Sequence, residues 1–347
     1  MSDLREYSAL TTKIKGMSRK FITDDQYREI LLQPNINEAL HKLKTTAGYG
    51  PALSEHPVDE LHRSDVYDLL LRASYLDFAS IYHFSNGEQR KFLKHYIRHF
   101  EIHLIKRCIQ RVIAGDPLTL GMMINEDFFN RYSDLDLRSL VFAASITELI
   151  DRLAGTPYHA LLTAVAKSPE PTLFDYENTL DQFYFSSMWK AGGGLHNKKG
   201  IKIIKEAFGT KFDLLNLLFI DRVRRYYKLT RAEIYGLLIP VTLHLSDEEL
   251  RALISADSDE SFNAVLAKTY YGRKKTFALT AEDLDKDYRH LMSDVVGRMA
   301  RRMPYSIATP YRYLLLKEQE LAKLMTALEC VHYGMSVAEG MALIKEA

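Results

Sequence analysis

The pattern Leu-x-x-Thr followed by a tyrosine occurs three times at nearly even spacing, and this repetition narrows the choice of fold more than any other feature. The copies are Leu43 and Thr46 with Tyr49, Leu153 and Thr156 with Tyr158, and Leu266 and Thr269 with Tyr271. The three threonines stand 110 and 113 residues apart. An apolar residue (Ala39, Leu149 or Phe262) lies four positions before each leucine, one helical turn earlier on the same face. A second marker follows in the same order: Glu101-Ile102, Asp213-Leu214 and Glu320-Leu321, separated by 112 and 107 residues. Four positions after each acid comes Ile105, Leu217 or Leu324. Fourteen residues after the first and third acids stand Gly115 and Gly334, as a helix C-terminus prefers, whereas the middle copy has Tyr227 there. Two markers recurring three times account for nearly the whole chain of 347 residues and predict repeats at 1–116, 117–229 and 230–347.

Each repeat reads as helical. Glycine and proline are scarce, at 17 and 10, and no segment shows sustained period-two alternation. Thr23 with Gln26, Ser246 with Glu249 and Thr280 with Asp283 each place a hydroxyl three residues before an acid or amide, the spacing that caps a helix start. From Gln89 to Ile113, apolar side chains recur every fourth residue (Phe92, Tyr96, Phe100, Leu104, Cys108, Val112) and Leu93, Ile97, Ile105 and Ile109 widen the stripe. Each step of four turns about 40° around a helix, so the stripe winds and the helix packs on more than one side. The fold class expected is all-α.

Composition excludes several functions. Lys and Arg number 46 against 45 Asp and Glu, which argues against nucleic-acid binding. Two cysteines, Cys108 and Cys330, do not make a disulfide framework and read as core fillers in a reducing compartment. The first residues lack the apolar stretch of a signal peptide. The longest mostly apolar run, Ile234 to Leu245, falls short of the roughly 20 residues a membrane helix needs.

Three features invite chemistry. His95, His99 and His103 fall at i, i+4 and i+8, a spacing that binds zinc when a fourth ligand is at hand; Glu101 is turned about 160° away from His103 and is a poor one. The glycine-rich stretch Ala191 to Gly200 has no Gly-Lys-Ser/Thr ending and no strand before it, so it reads as a connector after a helix closing at Trp189-Lys190. Basic clusters stand at Arg222-Val223-Arg224-Arg225, at Arg273-Lys274-Lys275 and at Arg298 with Arg301 and Arg302. They are solvated helix faces, partners of the chain's own carboxylates, or contacts for acidic surfaces and lipid headgroups, and the sequence does not choose among these.

The sequence also resembles a known family, the C subunits of V-type ATP synthases and the d subunits of vacuolar ATPases. Pro310-Tyr311-Arg312-Tyr313-Leu314-Leu315-Leu316-Lys317-Glu318-Gln319-Glu320-Leu321 is similar to the family's aromatic, apolar and Lys-Glu-x-Glu signature. Asp213-Leu214-Leu215-Asn216-Leu217 resembles its Asp-x-x-Asn-Leu element, and Leu180-Asp181-Gln182-Phe183-Tyr184-Phe185 its run into the middle repeat. Leu43-Lys44-Thr45-Thr46 with Tyr49-Gly50 resembles the first-repeat Leu-x-x-Thr-x-Tyr-Gly, with one extra residue. The resemblance spans residues 7 to 345 and implies three similar helical bundles around a pseudo-threefold axis, forming a funnel. It implies a non-catalytic component at the cytoplasmic face of the proteolipid ring, receiving the D and F subunits of the central stalk and coupling ATP chemistry to H⁺ or Na⁺ movement. It carries over no catalytic, cofactor-binding or metal residues, no small-molecule substrate and no particular partner-binding residue. The alternative is an unrelated helical-repeat scaffold that holds another protein in its concave surface.

Overall fold

Side-chain caps open several of the helices, and two of the three capped starts expected from sequence are present. Thr23 and Ser246 each accept the backbone N–H three residues on, while Gln26 and Glu249 reach back, closing capping boxes. Thr280 and Asp283 lie outside the described residues. The computed structural model describes residues 2–55, 63–118, 120–193, 198–227, 229–273 and 284–346. Among these the regular structure is eighteen α-helices and a short 3-10 turn at Leu120–Met123, with no strand. The all-α expectation is met.

The chain forms two compact units, residues 1–180 with 309–347, and residues 181–308. In the first unit lie α1 (Ser2–Ser18), α2 (Asp24–Leu31), α3 (Ile36–Lys44), α4 (Gly50–Ser54), α5 (Arg63–His83) and α6 (Gly87–Ala114). They are followed by α7 (Glu126–Tyr132), α8 (Leu137–Val141), α9 (Ile146–Arg152), α10 (Pro157–Ala166) and the start of α11 (Leu173–Gly193). The second unit holds the rest of α11, then α12 (Lys198–Tyr226), α13 (Arg231–Leu237), α14 (Asp247–Ile254), α15 (Asp259–Leu266) and α16 (Leu284–Arg302). The first unit is completed by α17 (Ala308–His332) and α18 (Val337–Glu346), so its last helices return to its first.

The helix expected from Gln89 to Ile113 is α6, and ten of its apolar side chains are buried, from Phe92 through Ile109. Its core neighbours are aromatic. Tyr75 stacks on Phe128 with centroids 4.4 Å apart, and Phe78 and Phe100 meet edge to face at 5.5 Å, a preferred geometry for ring pairs. Gly115 closes α6 at φ +71°, with the Asp116 N–H donating to the Arg111 carbonyl at 3.0 Å. Gly334 follows α17 at φ +62°, with the Met335 N–H on Cys330 O at 2.9 Å. Both are glycine C-caps of Schellman type. At the middle copy Tyr227 makes an ordinary helical bond to Val223 O, so the departure in sequence is a departure in structure.

The connector expected after Lys190 begins later. Helix α11 continues to Gly193, because glycine weakens a helix by about 1 kcal/mol without forbidding it. Leu195, His196 and Asn197 lie outside the described residues. Cys108 and Cys330 are buried free thiols, and burial pushes Cys108 up to about 12.

Candidate functional site: three carboxylate–tyrosine latches and a basic cleft

The two sequence markers meet in space. Tyr49 donates its hydroxyl to Glu320 Oε2 at 3.0 Å, Tyr158 to Glu101 Oε2 at 2.5 Å, and Tyr271 to Asp213 Oδ2 at 2.8 Å. In chain order each acid thus takes the tyrosine of the next copy of the Leu-x-x-Thr pattern, and the last acid takes the first tyrosine. We call each arrangement a latch.

The threonine of the pattern makes the turn that aims the tyrosine. Thr46, Thr156 and Thr269 each donate a hydroxyl proton to the carbonyl of the leucine three residues before, at 2.7 Å in all three copies. That carbonyl also accepts the threonine's own N–H, at 2.9, 3.0 and 3.0 Å in the three copies, so the hydroxyl adds a second bond to the turn that ends the helix. The helix it ends always opens on a side-chain cap eleven residues before the threonine: Asn35 for α3, Ser145 for α9 and Ser258 for α15. The extra residue in the first copy is accommodated at Gly48, where an added Cβ would stand 2.5 Å from the Lys20 carbonyl oxygen.

The acid also holds the stretch of chain that leads into the first helix of each pair. Glu320 Oε1 accepts the Ile22 N–H at 2.6 Å, just before the Thr23 cap. Asp213 accepts the N–H groups of Leu243 and His244 at 3.0 and 2.7 Å, just before the Ser246 cap. Glu101 Oε1 accepts the Ser133 hydroxyl at 2.5 Å, and Ser133 in turn accepts the Leu135 N–H, just before the Asp136 cap of α8. The middle start escapes a search for a hydroxyl followed by an acid or amide, because Asp136 caps Ser139 instead. Burial raises Asp213 above the usual carboxylate range, against the backbone and tyrosine bonds that hold it down. Burial and the facing carboxylate push all three tyrosine hydroxyls well above their ordinary value, so they stay protonated donors.

What surrounds the acids differs. Three residues before each stands Lys317, Arg98 or Thr210, and seven before stands Tyr313, Lys94 or Glu206. At Glu320 the buried groups pair with one another. Lys317 Nζ lies 2.8 Å from Glu320 and 3.6 Å from Asp77, and 4.0 Å over the Tyr49 ring, while Tyr313 donates to Asp77 at 2.7 Å. At Asp213, Thr210 bonds the Tyr271 hydroxyl. At Glu101 the latch borders a cleft of about 740 Å³ into which α6 and α7 bring Arg90, Lys94, Arg98 and Arg131. Arg98 is hydrogen-bonded to His95. Arg90 donates to the carbonyls of Tyr82 and His83 and lies 5.2 Å over the Tyr82 ring; Arg131 lies 5.6 Å over Tyr132.

The other candidates from sequence are dispersed or internally satisfied. The winding of α6 gives the three histidines different neighbours. His95 is half-buried beside Arg98, His99 Nε2 is 3.5 Å from Glu318, and His103 packs against the Tyr67 ring with its Nε2 buried. Among the described residues no three His, Cys, Asp or Glu side chains gather as a metal site. Arg224 and Arg225 share Asp221 at 2.8 and 2.9 Å and both also reach Asp259. Arg298 pairs with Asp294, and Arg301 and Arg302 are exposed. Lys274 and Lys275 lie outside the described residues.

Among the described residues no helix is long and apolar enough to cross a membrane. An all-helical protein in which one latch recurs three times is the class these features define. A sequence model of the ATP synthase (C/AC39) subunit family matches residues 10–341, and the chain belongs to this family. Its relatives include the C subunit of the A-type ATP synthase of Thermococcus onnurineus, 23% identical with 95% of this chain and 87% of that one covered. The corresponding C subunits of Methanococcoides burtonii (24% identical, 93% and 89% covered) and Methanobrevibacter smithii (21%, 93% and 83%) match over similar spans.

Proposed function

We propose that this chain is the non-catalytic coupling component of an A/V-type rotary ATP synthase or ATPase. In this reading it sits peripherally on the cytoplasmic side of the membrane, between the central stalk (its D and F subunits) and the proteolipid ring. Its three sequence repeats form three similar bundles about a pseudo-threefold axis, and it passes rotation between ATP chemistry and H⁺ or Na⁺ movement. The observation that carries the reading is the threefold recurrence of one latch in a chain that its family matches from residue 10 to 341.

The latches suit the role. A part that transmits torque must keep its helices from shearing, and a hydrogen bond onto a charged group contributes about 1.5–3 kcal/mol where water is excluded. Each latch ties a long helix to both ends of a short helix pair at once. The Glu320 latch joins α17 to the chain before α2 and after α3, so the last long helix is tied to the opening segment of the sequence.

A native mass spectrum of the purified chain, alone and mixed with the D and F subunits of its own organism, tests the role. The expected result is an equimolar complex of the three chains that is lost when the tip of the stalk is truncated. A chain that is folded and helical by circular dichroism yet forms no complex would favour the unrelated helical-repeat scaffold.

A further inference from the structure

We propose that the cleft beside the Glu101 latch is a docking site for an acidic helical segment of another protein chain. This goes beyond the coupling role, because it does not depend on which partner brings the helix.

Positive charge predominates in the lining of the cleft. The chain as a whole is balanced, at 46 basic and 45 acidic residues. The cleft is not. Arg90, Lys94 and Arg131 have no carboxylate partner among the described residues, and all three are exposed. The carboxylates in its lining are Glu101, whose two oxygens are taken by Ser133 and Tyr158, and Asp134. A concave wall of one sign focuses its field and raises the local concentration of the opposite charge.

The cations are also pre-organised. Arg90 and Arg131 lie over the rings of Tyr82 and Tyr132, and Arg90 is further fixed by two backbone carbonyls. A guanidinium held this way loses little freedom when it takes a carboxylate. A neighbouring space of about 450 Å³ shares Arg131 with this cleft, and there Lys317 is already paired with Glu320 and Asp77, so that cation is neutralised from within.

Pitch selects the form of the ligand. Arg90, Lys94 and Arg98 follow one another every four residues on α6, a rise of about 6 Å per step. A single phosphate needs donors that converge on one point. A row at this pitch instead matches carboxylates repeated once per turn along a second helix, with Arg131 facing them from α7.

The test uses the full chain and a fluorescein-labelled helical peptide with glutamate at every fourth position. Its controls are a peptide of the same composition with the glutamates bunched, and pyrophosphate as a competitor at constant ionic strength. Fluorescence anisotropy should report saturable binding of the regular peptide that weakens with salt. Binding should fall roughly tenfold or more in Lys94→Glu/Arg131→Glu. It should return when that variant meets a peptide with lysine in place of glutamate, a gain that a misfolded variant would not show. No binding, equal binding of the bunched peptide, or an unchanged affinity in the double variant would overturn the proposal. So would displacement by pyrophosphate at concentrations below the peptide's own dissociation constant, which would make the cleft a phosphate site.

Discussion

The latches at Glu320 and at Glu101 lie in the same compact unit and share one geometry, yet one is sealed and the other faces solvent. Glu320 and its neighbour Lys317 are almost fully buried, at 5% and 3% side-chain exposure, and they pair with each other and with Asp77 and Tyr49. Glu101 is only half-buried and borders a cleft lined by the exposed Arg90, Lys94 and Arg131. The difference shows that a structural repeat fixes the bonds that hold the chain while leaving the residues three and seven positions upstream to vary. Lys317 and Tyr313 turn inward and are paired there; Arg98 and Lys94 border a charged surface. The second unit gives a third solution, in which Asp213 uses two backbone N–H groups and a tyrosine and no cation.

If burial separates the two latches, removing the acids must separate them further. Glu320→Gln leaves Lys317 charged and poorly paired in the core and should cost about 3–5 kcal/mol. Glu101→Gln removes one charged acceptor beside water and should cost about 1–2 kcal/mol. Urea unfolding of the two variants measures both, and equal losses would remove the distinction. The turn of the first copy gives the next effect. An alanine at Gly48 would press on the Lys20 backbone, which cannot swing aside as a side-chain tip can, so Gly48→Ala should lose about 1–3 kcal/mol by the same unfolding measurement.

The smallest effect distinguishes α6 from α17 by pH. Two residues after Glu101 stands His103, where α17 has Ala322. Burial, then the charges of His99, Arg107 and Lys106, lowers His103 to about 3. A group held below its unfolded value contributes stability above that unfolded value, near 6.5, and loses it as pH falls toward the folded one. Nearby Asp68 acts in the opposite sense. Burial, opposed by Arg107 and assisted by Asp65, raises it to about 6, so acidification from about 6 to 4 favours the fold through Asp68. Stability should therefore drop by under about 1 kcal/mol between pH 7 and 6 and then level off. The drop should vanish in His103→Leu, followed by thermal melts across that range.

Much of this was legible in the sequence, for reasons that are local. Leu-x-x-Thr recurs because its hydroxyl closes a helix three residues back, and Gly115 and Gly334 recur because a left-handed turn follows. The acids were found for the same periodicity, but their partners were not. A tyrosine 57, 58 or 271 residues away from its acid leaves no trace in spacing, so the pairing of each acid with the next copy's tyrosine needed the fold. The middle start was missed because Asp136 replaces a hydroxyl cap. The basic row at Arg90, Lys94 and Arg98 had the same period as the histidines beside it, but only Arg131, from another helix, makes it a cleft. The histidine row itself drew attention by spacing alone, and the winding of α6 takes its three rings to three different environments.

Three hydrogen bonds join the two markers of the repeat, and double-mutant cycles across them are the most direct measurement of what the repeat preserves. Tyr→Phe combined with Glu→Gln or Asp→Asn at 49/320, 158/101 and 271/213 should each return a coupling free energy of about 0.5–3 kcal/mol. Coupling near zero at any of the three pairs would mean that the markers recur without being joined there, and the latch would not be the element that the repeat preserves.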